Sequence, residues 1–257
     1  MTGARGFGGG RTIAIWGVPR SVSTAFEKTF TRLPGLRIVH EPFADCYYFG
    51  PARRSERYGR VTEPEAYGGS SALSSLEPAV GETVLFKDLC FQAAHYMPEE
   101  VLAGITNTFI VRHPDLVVHS LRKLKPNFTE EELGFEPLRD MFSQVTRLGQ
   151  RPIVVEGQVF RAEPEMVLRR FCEEVELPFR ADMHRWDDGR IRRWAPHEME
   201  SQKTWHSTLE ASEQVEPPVP ISPPAPLELG EVYERALATY QRVAAEAITP
   251  ANEVVVQ

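Results

Sequence analysis

Short apolar runs alternate with longer stretches of helical periodicity along this chain. The runs are rich in β-branched residues and cover residues 11–16, 36–39, 83–86, 108–111 and 153–155. Strands separated by helices are typical of a parallel sheet whose two faces are covered by those helices. The pattern therefore predicts an α/β fold with a central parallel sheet of about five strands flanked by helices.

The segments outside these runs indicate how the chain is organised. The Gly-rich residues 1–10 precede the first strand, so we interpret them as a flexible terminus and not as a dinucleotide-binding loop. Residues 11–257 form a single predicted domain. Residues 47–81 form a long segment without apolar periodicity. Its position after the second strand favours a ligand-binding loop, called the acceptor loop below. Residues 212–229 are proline-rich and predict an extended segment.

An amphipathic helix is predicted over residues 230–248. Its apolar positions Val232, Ala236, Tyr240 and Val243 recur at helical spacing. Such a face packs either on the core of its own chain or on a second copy, so this helix is the candidate surface for an oligomer.

Composition and charge narrow the class of protein. Apolar residues make up 42% of the 257 residues and charged residues 25%, which is usual for a globular domain. The formal net charge of −7 argues against a nucleic-acid partner, so affinity for an anion requires a local basic pocket. No apolar run approaches the ~18 residues that span a bilayer. Three widely separated cysteines, Cys46, Cys90 and Cys172, argue against a disulfide framework and favour the cytoplasm.

A loop directly after the first predicted strand has the features of an anion site. Residues 17–24 read Gly-Val-Pro-Arg-Ser-Val-Ser-Thr. The Gly and Pro turn the chain, Arg20 supplies a positive charge, and hydroxyl and backbone N–H groups gather at a helix N-terminus. A Walker A loop would carry Gly at Val22 and Lys at Ser23, which disfavours an ATP-dependent enzyme that uses Mg²⁺. An ordinary capped helix is the alternative interpretation.

A second motif follows the fourth predicted strand. That strand ends at Arg112, Pro114 opens a helix, and Ser120 lies eight positions after the arginine. Ligands of open α/β sheets bind at the carboxyl ends of the strands, so Arg112 and Arg20 are expected to face one crevice.

Taken together, the two motifs resemble the sulfotransferases that use 3′-phosphoadenosine 5′-phosphosulfate (PAPS). The resemblance extends over residues 11–179 and implies a P-loop-like fold without a metal. It implies that Arg112 and Ser120 bind the 3′-phosphate of PAPS and of its product, adenosine 3′,5′-bisphosphate. The 5′-phosphosulfate would be bound by the loop residues, namely Arg20, Ser21, Val22, Ser23 and Thr24.

The chain departs from that family pattern in three ways. Val22 replaces the usual glycine of the loop, which changes how closely the backbone approaches a phosphate. The Arg-Lys-Gly element that closes over the nucleotide in many members is not evident. The Lys-Thr-His segment of the phenol and steroid enzymes falls on residues 87–89, which read Lys-Asp-Leu, so their catalytic histidine is missing.

Glu41 is the predicted base in place of that histidine. It follows the second strand and is similar to the glutamate of the bacterial glycolipid sulfotransferases, and an apolar neighbourhood is expected to raise its pKa. Alternatively, it pairs with Arg20 and only orients the loop. His40, Asp88 and His95 are the other candidates for the base.

The predicted reaction is in-line sulfuryl transfer to a hydroxyl of a small molecule, in which Arg20 and Lys87 stabilise developing negative charge. Side chains near the second strand are expected to line the acceptor pocket, namely His40, Phe43, Tyr47, Tyr48 and His95. Lys203 and Trp205 are expected at the nucleotide. Residues 197–201 begin like a zinc-protease helix but lack its second histidine, so no metal is predicted there.

Two other functions remain compatible with these motifs. One is a P-loop kinase that uses ATP, against which the absent Walker lysine weighs. The other is a nucleotide-binding protein that performs no transfer.

Overall fold

A computed structural model describes residues 9–61, 64–196, 198–221 and 229–249. The predicted terminus 1–10 and proline-rich segment 212–229 therefore lie partly outside the described residues. Residues 212–221 contain no helix, and Gln214 forms an antiparallel bridge to Arg185.

Five parallel strands form the central sheet and confirm the predicted fold class. Their order across the sheet is β2-β3-β1-β4-β5. In chain order the strands are β1 (Arg11–Gly17), β2 (Leu36–His40), β3 (Thr83–Leu89), β4 (Thr106–Val111) and β5 (Ile153–Glu156).

The register brings the ends of these strands to one edge of the sheet. Gly17 at the end of β1 aligns with Leu89 of β3 and with Ile110 of β4. His40 of β2 aligns with Lys87 of β3. Because all strands run in the same direction, the loops that follow them meet at this edge.

Alternation along β1 builds a core on each face of the sheet. Ile13 and Ile15 belong to one buried cluster, whereas Ala14 and Trp16 belong to the other. The indole N–H of Trp16 donates to Asn107 Oδ1 over 2.8 Å, which satisfies the buried polar atom of that ring. Both faces of β1 are therefore apolar, as expected of a central parallel strand.

Helices cover both faces of the sheet, as the alternation of patterns predicted. Their bounds are α1 (Ser23–Lys28), α2 (Ala44–Tyr48), α3 (Gly69–Ser74), α4 (Cys90–Ala93), α5 (Glu99–Gly104), α6 (Pro114–Leu124), α7 (Glu130–Leu133), α8 (Phe135–Arg147), α9 (Gly157–Ala162), α10 (Pro164–Glu174), α11 (Met199–Glu210) and α12 (Gly230–Ala244). Within the described ranges, no helix combines the length and the apolar character that crossing a membrane requires.

Helix α12 packs its apolar face on its own chain. Ala236 and Val243 are buried in the same core as α8, and Tyr240 packs against that core. After the helix, Ala247 forms a parallel bridge to Val154 of β5. Of the two surfaces expected for this face, the structure therefore shows the core.

The segment predicted as an acceptor loop contains short helices. Helix α2 opens it, and a 3₁₀ turn (Pro64–Tyr67) and α3 follow. Tyr47, Tyr48 and Phe49 form a buried aromatic cluster with Phe91 of α4. Aromatic packing therefore fixes this segment to the sheet.

Candidate active site

The anion loop between β1 and α1 has a left-handed backbone at two residues. Arg20 has φ of 61° and Val22 has φ of 75°. Positive φ is rare for a β-branched residue such as valine, and it costs of order 1–3 kcal/mol. Val22 thus keeps the backbone conformation that glycine adopts without strain.

Two glycines give this loop the room it needs. A Cβ atom on Gly17 would lie 2.8 Å from Ser23 Oγ, and one on Gly157 would lie 2.8 Å from the carbonyl oxygen of Ser21. Contacts this short do not occur for real Cβ atoms. Gly157, at the start of α9, is therefore part of the support of the loop although it lies far away in sequence.

The side chain of Arg20 joins the two predicted phosphate motifs. Its Nε donates to Ser120 Oγ on α6 over 2.9 Å, and one terminal nitrogen donates to the carbonyl oxygen of Trp205 on α11 over 2.8 Å. Burial and the charge of Arg161 lower the pKa of Arg20. The loop after β1 and the helix that carries Ser120 are thus in direct contact.

Arg112 lies beside the anion loop at the end of β4. It donates to the carbonyl oxygen of Arg20 over 3.1 Å and to Gln158 Oε1 over 3.4 Å. Burial, together with the charges of Arg161 and Arg20, lowers its pKa to about 10. The guanidinium is therefore still charged at neutral pH.

Arg161 is a third arginine of this site, and no sequence motif indicated it. It lies on α9 and lines the same pocket as Arg20 and Arg112. One terminal nitrogen donates to the carbonyl oxygen of Pro217 over 3.2 Å. Three cationic side chains, delivered by the segments after β1, β4 and β5, therefore converge at one edge of the sheet.

Several donors in this basic region are buried without an acceptor. They are the hydroxyl of Ser21 and the Nε atoms of Arg112 and Arg161. An unpaired buried donor costs about 1–3 kcal/mol, so such groups are expected to have a partner in the working protein. A phosphate or sulfate group supplies oxygen acceptors and negative charge together. The residues present therefore fit the anionic groups of PAPS.

Glu41 and Lys87 form a buried ion pair at the adjacent ends of β2 and β3. Burial disfavours the charged form of Glu41, but the opposing causes, of which the charge of Lys87 is the largest and its hydrogen bond is another, outweigh burial and lower the pKa of Glu41 to about 2. The apolar neighbourhood was expected to raise this pKa. Its partner is Lys87 and not Arg20, which has its own contacts with Ser120 and Trp205.

Asp88 anchors the turn that carries Glu41. Its carboxylate accepts from the backbone N–H of Phe43 over 2.8 Å and from that of Leu89 over 2.7 Å. Burial and the charge of Glu41 raise the pKa of Asp88 well above its usual value. Both carboxylate oxygens are engaged by backbone groups, so this residue holds the turn in place.

His40 lies behind Glu41, away from the pocket wall. Its Nδ1 lies 2.6 Å from Glu27 Oε2, and both side chains are fully buried. Glu27 belongs to α1, so this contact holds α1 against the end of β2.

His206 reaches the pocket from α11, and the sequence did not single it out as a site residue. Its ring stacks on Trp194 with a centroid distance of 4.9 Å, and its Nε2 lies 3.0 Å from Gln202 Oε1. Burial, followed by the charge of His40, lowers the pKa of His206 to about 3, although Glu41 opposes the shift. The ring is therefore neutral at physiological pH.

Aromatic side chains line the other end of the pocket. Tyr48, Phe49 and Tyr58 lie there, and the rings of Tyr48 and Tyr58 meet edge to face at 4.7 Å. A buried ion pair between Lys125 and Glu132, with a distance of 2.6 Å, closes this end. The whole pocket encloses about 1330 Å³, part of it open to solvent.

The structure brings together some of the predicted site residues and places others elsewhere. The pocket wall includes Arg20, Val22, Ser23, Thr24, Glu41, Tyr48, Lys87, Arg112 and Trp205. Phe43 and Tyr47 are buried in the aromatic and core packing behind that wall. His95 pairs with Glu131 over 2.6 Å, and Lys203 is exposed.

Acidic, histidine and cysteine side chains are spread along the part of the chain that the structure describes. In that part of the chain, no group of three or more His, Cys, Asp or Glu side chains is arranged to hold a metal ion. His197, which opens the segment compared with zinc proteases, lies outside the described residues.

Comparisons with known proteins connect this geometry to a family. The family model described as the sulfotransferase domain matches residues 11–220. That range contains all five strands, the three arginines and the Glu41–Lys87 pair.

Similarity to individual proteins is low. The chain is 23% identical over 233 residues to "Branched-chain-amino-acid aminotransferase-like protein 2" and 26% identical over 243 residues to the corresponding protein 1, both from Arabidopsis thaliana. Each match covers 89% of this chain but 40% of the relative, so the chain spans about two-fifths of these curated relatives. A solved sulfotransferase domain from the Synechococcus PCC 7002 olefin synthase is 16% identical with a TM-score of 0.47, over 89% of this chain and 94% of that one.

Proposed function

This chain belongs to the sulfotransferase domain family, and on that premise we propose that it transfers a sulfuryl group from PAPS to a hydroxyl of a small-molecule acceptor. When bound, PAPS supplies the sulfuryl group, and adenosine 3′,5′-bisphosphate is the product.

One observation carries the proposal, namely the set of buried and unpartnered donors beside the arginines. Ser21 in the loop and Arg112 at the end of β4 both belong to motifs that resemble phosphate sites, and both have a donor without an acceptor. A helix N-terminus adjoins them, since α1 begins at Ser23. Two anionic groups on one nucleotide would satisfy both motifs at once.

Lys87 and Glu41 are the residues that we assign to the transfer itself. Lys87 is buried, so its positive charge stabilises negative charge more strongly than it would in water. Glu41 is ionised and lines the pocket, which lets its carboxylate accept the proton of the attacking hydroxyl. Because its pKa is low, proton transfer accompanies attack and does not precede it.

The acceptor is expected at the aromatic end of the pocket. Tyr48, Phe49 and Tyr58 offer flat apolar surfaces next to the Glu41–Lys87 pair. Such a wall favours a small molecule with an apolar or aromatic body over a highly charged one.

The test is calorimetric binding of adenosine 3′,5′-bisphosphate, compared with ATP and Mg²⁺. We expect the wild-type protein to prefer the bisphosphate and Arg112→Ala to lose at least about tenfold in affinity, because a charged hydrogen-bond donor is removed. An exposed arginine on α10 serves as a matched control in Arg169→Ala, which is expected to bind as the wild type does.

A preference for ATP with Mg²⁺ would support a kinase and contradict the proposal. A protein that binds the bisphosphate but shows no transfer to a panel of hydroxyl acceptors with PAPS would instead be a nucleotide-binding protein without this activity.

A further inference from the structure

Arg161 is the cationic residue of the pocket that neither phosphate motif contains. It belongs to α9, directly after β5, and it lines the pocket together with Arg20 and Arg112. Its Nε is buried and has no hydrogen-bond partner, while a terminal nitrogen donates to the carbonyl oxygen of Pro217. The side chain is thus held in place, and its Nε can still donate a hydrogen bond to a ligand.

Two carboxylates near the arginines, Glu156 and Glu216, offset only part of the positive charge of the cluster. Glu156 accepts from the backbone N–H groups of Gln158 and Val159 at the start of α9, over 2.7 and 2.8 Å. Glu216 lies on the exposed extended segment, where solvent screens its charge. Three guanidinium groups therefore have two carboxylates nearby, and Glu156 is already engaged by backbone groups.

The charge of Arg161 acts on both of the other arginines of the pocket, since it lowers the pKa of Arg112 and of Arg20. Burial is the largest cause that lowers the pKa of Arg112, and the charge of Arg161 comes next, ahead of that of Arg20. Arg112 and Arg161 also each retain a buried, unpartnered Nε. These two side chains therefore repel each other, and a dianion would relieve their repulsion.

We propose that Arg161 binds the same nucleotide phosphate as Arg112 and thereby makes the protein select nucleotides that carry a 3′-phosphate. This inference rests on the proposed function, because Arg112 is assigned there to the 3′-phosphate. A phosphate monoester carries close to two negative charges and three acceptor oxygens, which match two guanidinium groups better than one. A nucleotide with a 3′-hydroxyl would leave both cations without compensation.

The segment beside Arg161 supports this assignment. Residues 212–221 run past α9, and Gln158 and Arg161 donate to the carbonyl oxygens of Val219 and Pro217. Ser212, Gln214 and Glu216 of this segment line the pocket. The phosphate end is therefore enclosed by α9 and the extended segment, where Arg161 is desolvated and its charge acts strongly.

The experiment compares two ligands on two arginine variants by calorimetry. We expect Arg161→Gln to weaken binding of adenosine 3′,5′-bisphosphate by about 10- to 100-fold, which is the worth of one or two charge-assisted hydrogen bonds. Affinity for adenosine 5′-phosphate should change by less than about threefold, because that ligand lacks the 3′-phosphate. Arg169→Gln removes an exposed arginine from the adjacent helix α10 and should leave both affinities unchanged.

Two further measurements separate binding from folding. The melting temperature of Arg161→Gln should not fall, since the substitution removes a repelling charge. Arg161→Lys keeps the charge but not the planar fork, so it should restore part of the lost affinity for the bisphosphate.

The outcomes are distinct. Equal weakening of both ligands, or no weakening of the bisphosphate, would overturn the inference about Arg161 while the wild-type preference for the bisphosphate still supports the proposed function. A wild-type protein that binds neither nucleotide would overturn both.

Discussion

At the scale of single residues, strained backbone is concentrated at the candidate active site. Among the described residues, the non-glycine positions with positive φ are Arg20, Val22, Glu41 and Glu176, and the first three line the pocket. Left-handed backbone in such residues persists only where the surroundings impose it. The sequence showed that Val22 replaces a glycine, but not that it keeps the conformation of one. The left-handed conformation of Val22 depends on the close packing of the loop against Gly157 and Gly17, which the sequence does not reveal.

Glu41 and Lys87 give a prediction about stability and activity at this scale. Glu41→Gln leaves a buried ammonium group without its carboxylate, which is expected to cost about 3–5 kcal/mol in the free energy of unfolding. Glu41→Gln combined with Lys87→Met removes both charges and should recover most of that loss. Urea unfolding at pH 7 measures both effects, and transfer activity should be absent from both variants.

The double variant also separates nucleotide binding from the transfer step. It should still bind adenosine 3′,5′-bisphosphate, because Arg20 and Arg112 are intact. Transfer activity in this variant would contradict the roles assigned to the pair, and a single variant as stable as wild type would show that the ion pair is not buried in solution.

The five strands, the helices that start after β1 and at Pro114, and helix α12 could be predicted from the sequence, because apolar periodicity and loop residues are local signals. Arg20 and Arg112 were found for the same reason, since each follows a strand. Arg161 and His206 were not, because they lie on helices and reach the pocket only through long-range packing. The partner of Glu41 could not be predicted either, since the pairing of β2 with β3 decides it.

Helix α9 and the anion loop act as one unit, which leads to a prediction about Gly157. A methyl group in Gly157→Ala would lie 2.8 Å from the carbonyl oxygen of Ser21 and 3.3 Å from Val22 Cγ2. The loop must move, so we expect a loss of about 1–3 kcal/mol in stability and weaker binding of adenosine 3′,5′-bisphosphate. Chemical unfolding and calorimetry measure the two effects.

Gly68→Ala is the matched control, because a Cβ there would meet its nearest atom, the carbonyl oxygen of Glu65, at an ordinary 3.6 Å. Unchanged nucleotide affinity in Gly157→Ala would show that the loop does not depend on α9.

Charge is distributed unevenly over the whole molecule. The chain has a net charge of −7, yet Arg20, Arg112, Arg161 and Lys87 meet in one pocket. Buried ionisable groups in that pocket make the stability of the whole fold depend on pH. His206 and Glu41 both make the fold less stable as the pH falls, since folding lowers the pKa of each.

The pH range over which His206 changes the stability of the fold lies between its usual pKa near 6.5 and the folded value of about 3. Below 6.5 the unfolded chain takes up a proton that the folded protein rejects, so stability falls as the pH is lowered. We expect a loss of about 2 kcal/mol from this group between pH 7 and pH 5. His206→Phe should remove that part of the loss, measured by urea unfolding at the two pH values.

For comparison, His119 is exposed on α6, and His119→Phe should retain the full pH dependence of the wild type. A His206→Phe protein that loses as much stability as wild type between the two pH values would contradict the neutral state of the buried ring. Glu41 contributes separately, at lower pH, where stability is lost as its carboxylate is protonated between about 4.5 and 2.

The contact between β5 and the segment after α12 has a consequence for self-association. β5 is an outermost strand, and the open edge of such a strand is a template on which another chain can add. Here the N–H of Ile248 donates to the carbonyl oxygen of Val154 over 2.9 Å, so the chain occupies part of that edge itself. On the opposite edge, Arg37 of β2 carries a charge paired with Glu82. Both outermost strands of the sheet are thus protected in part against the addition of another strand and the aggregation that follows from it.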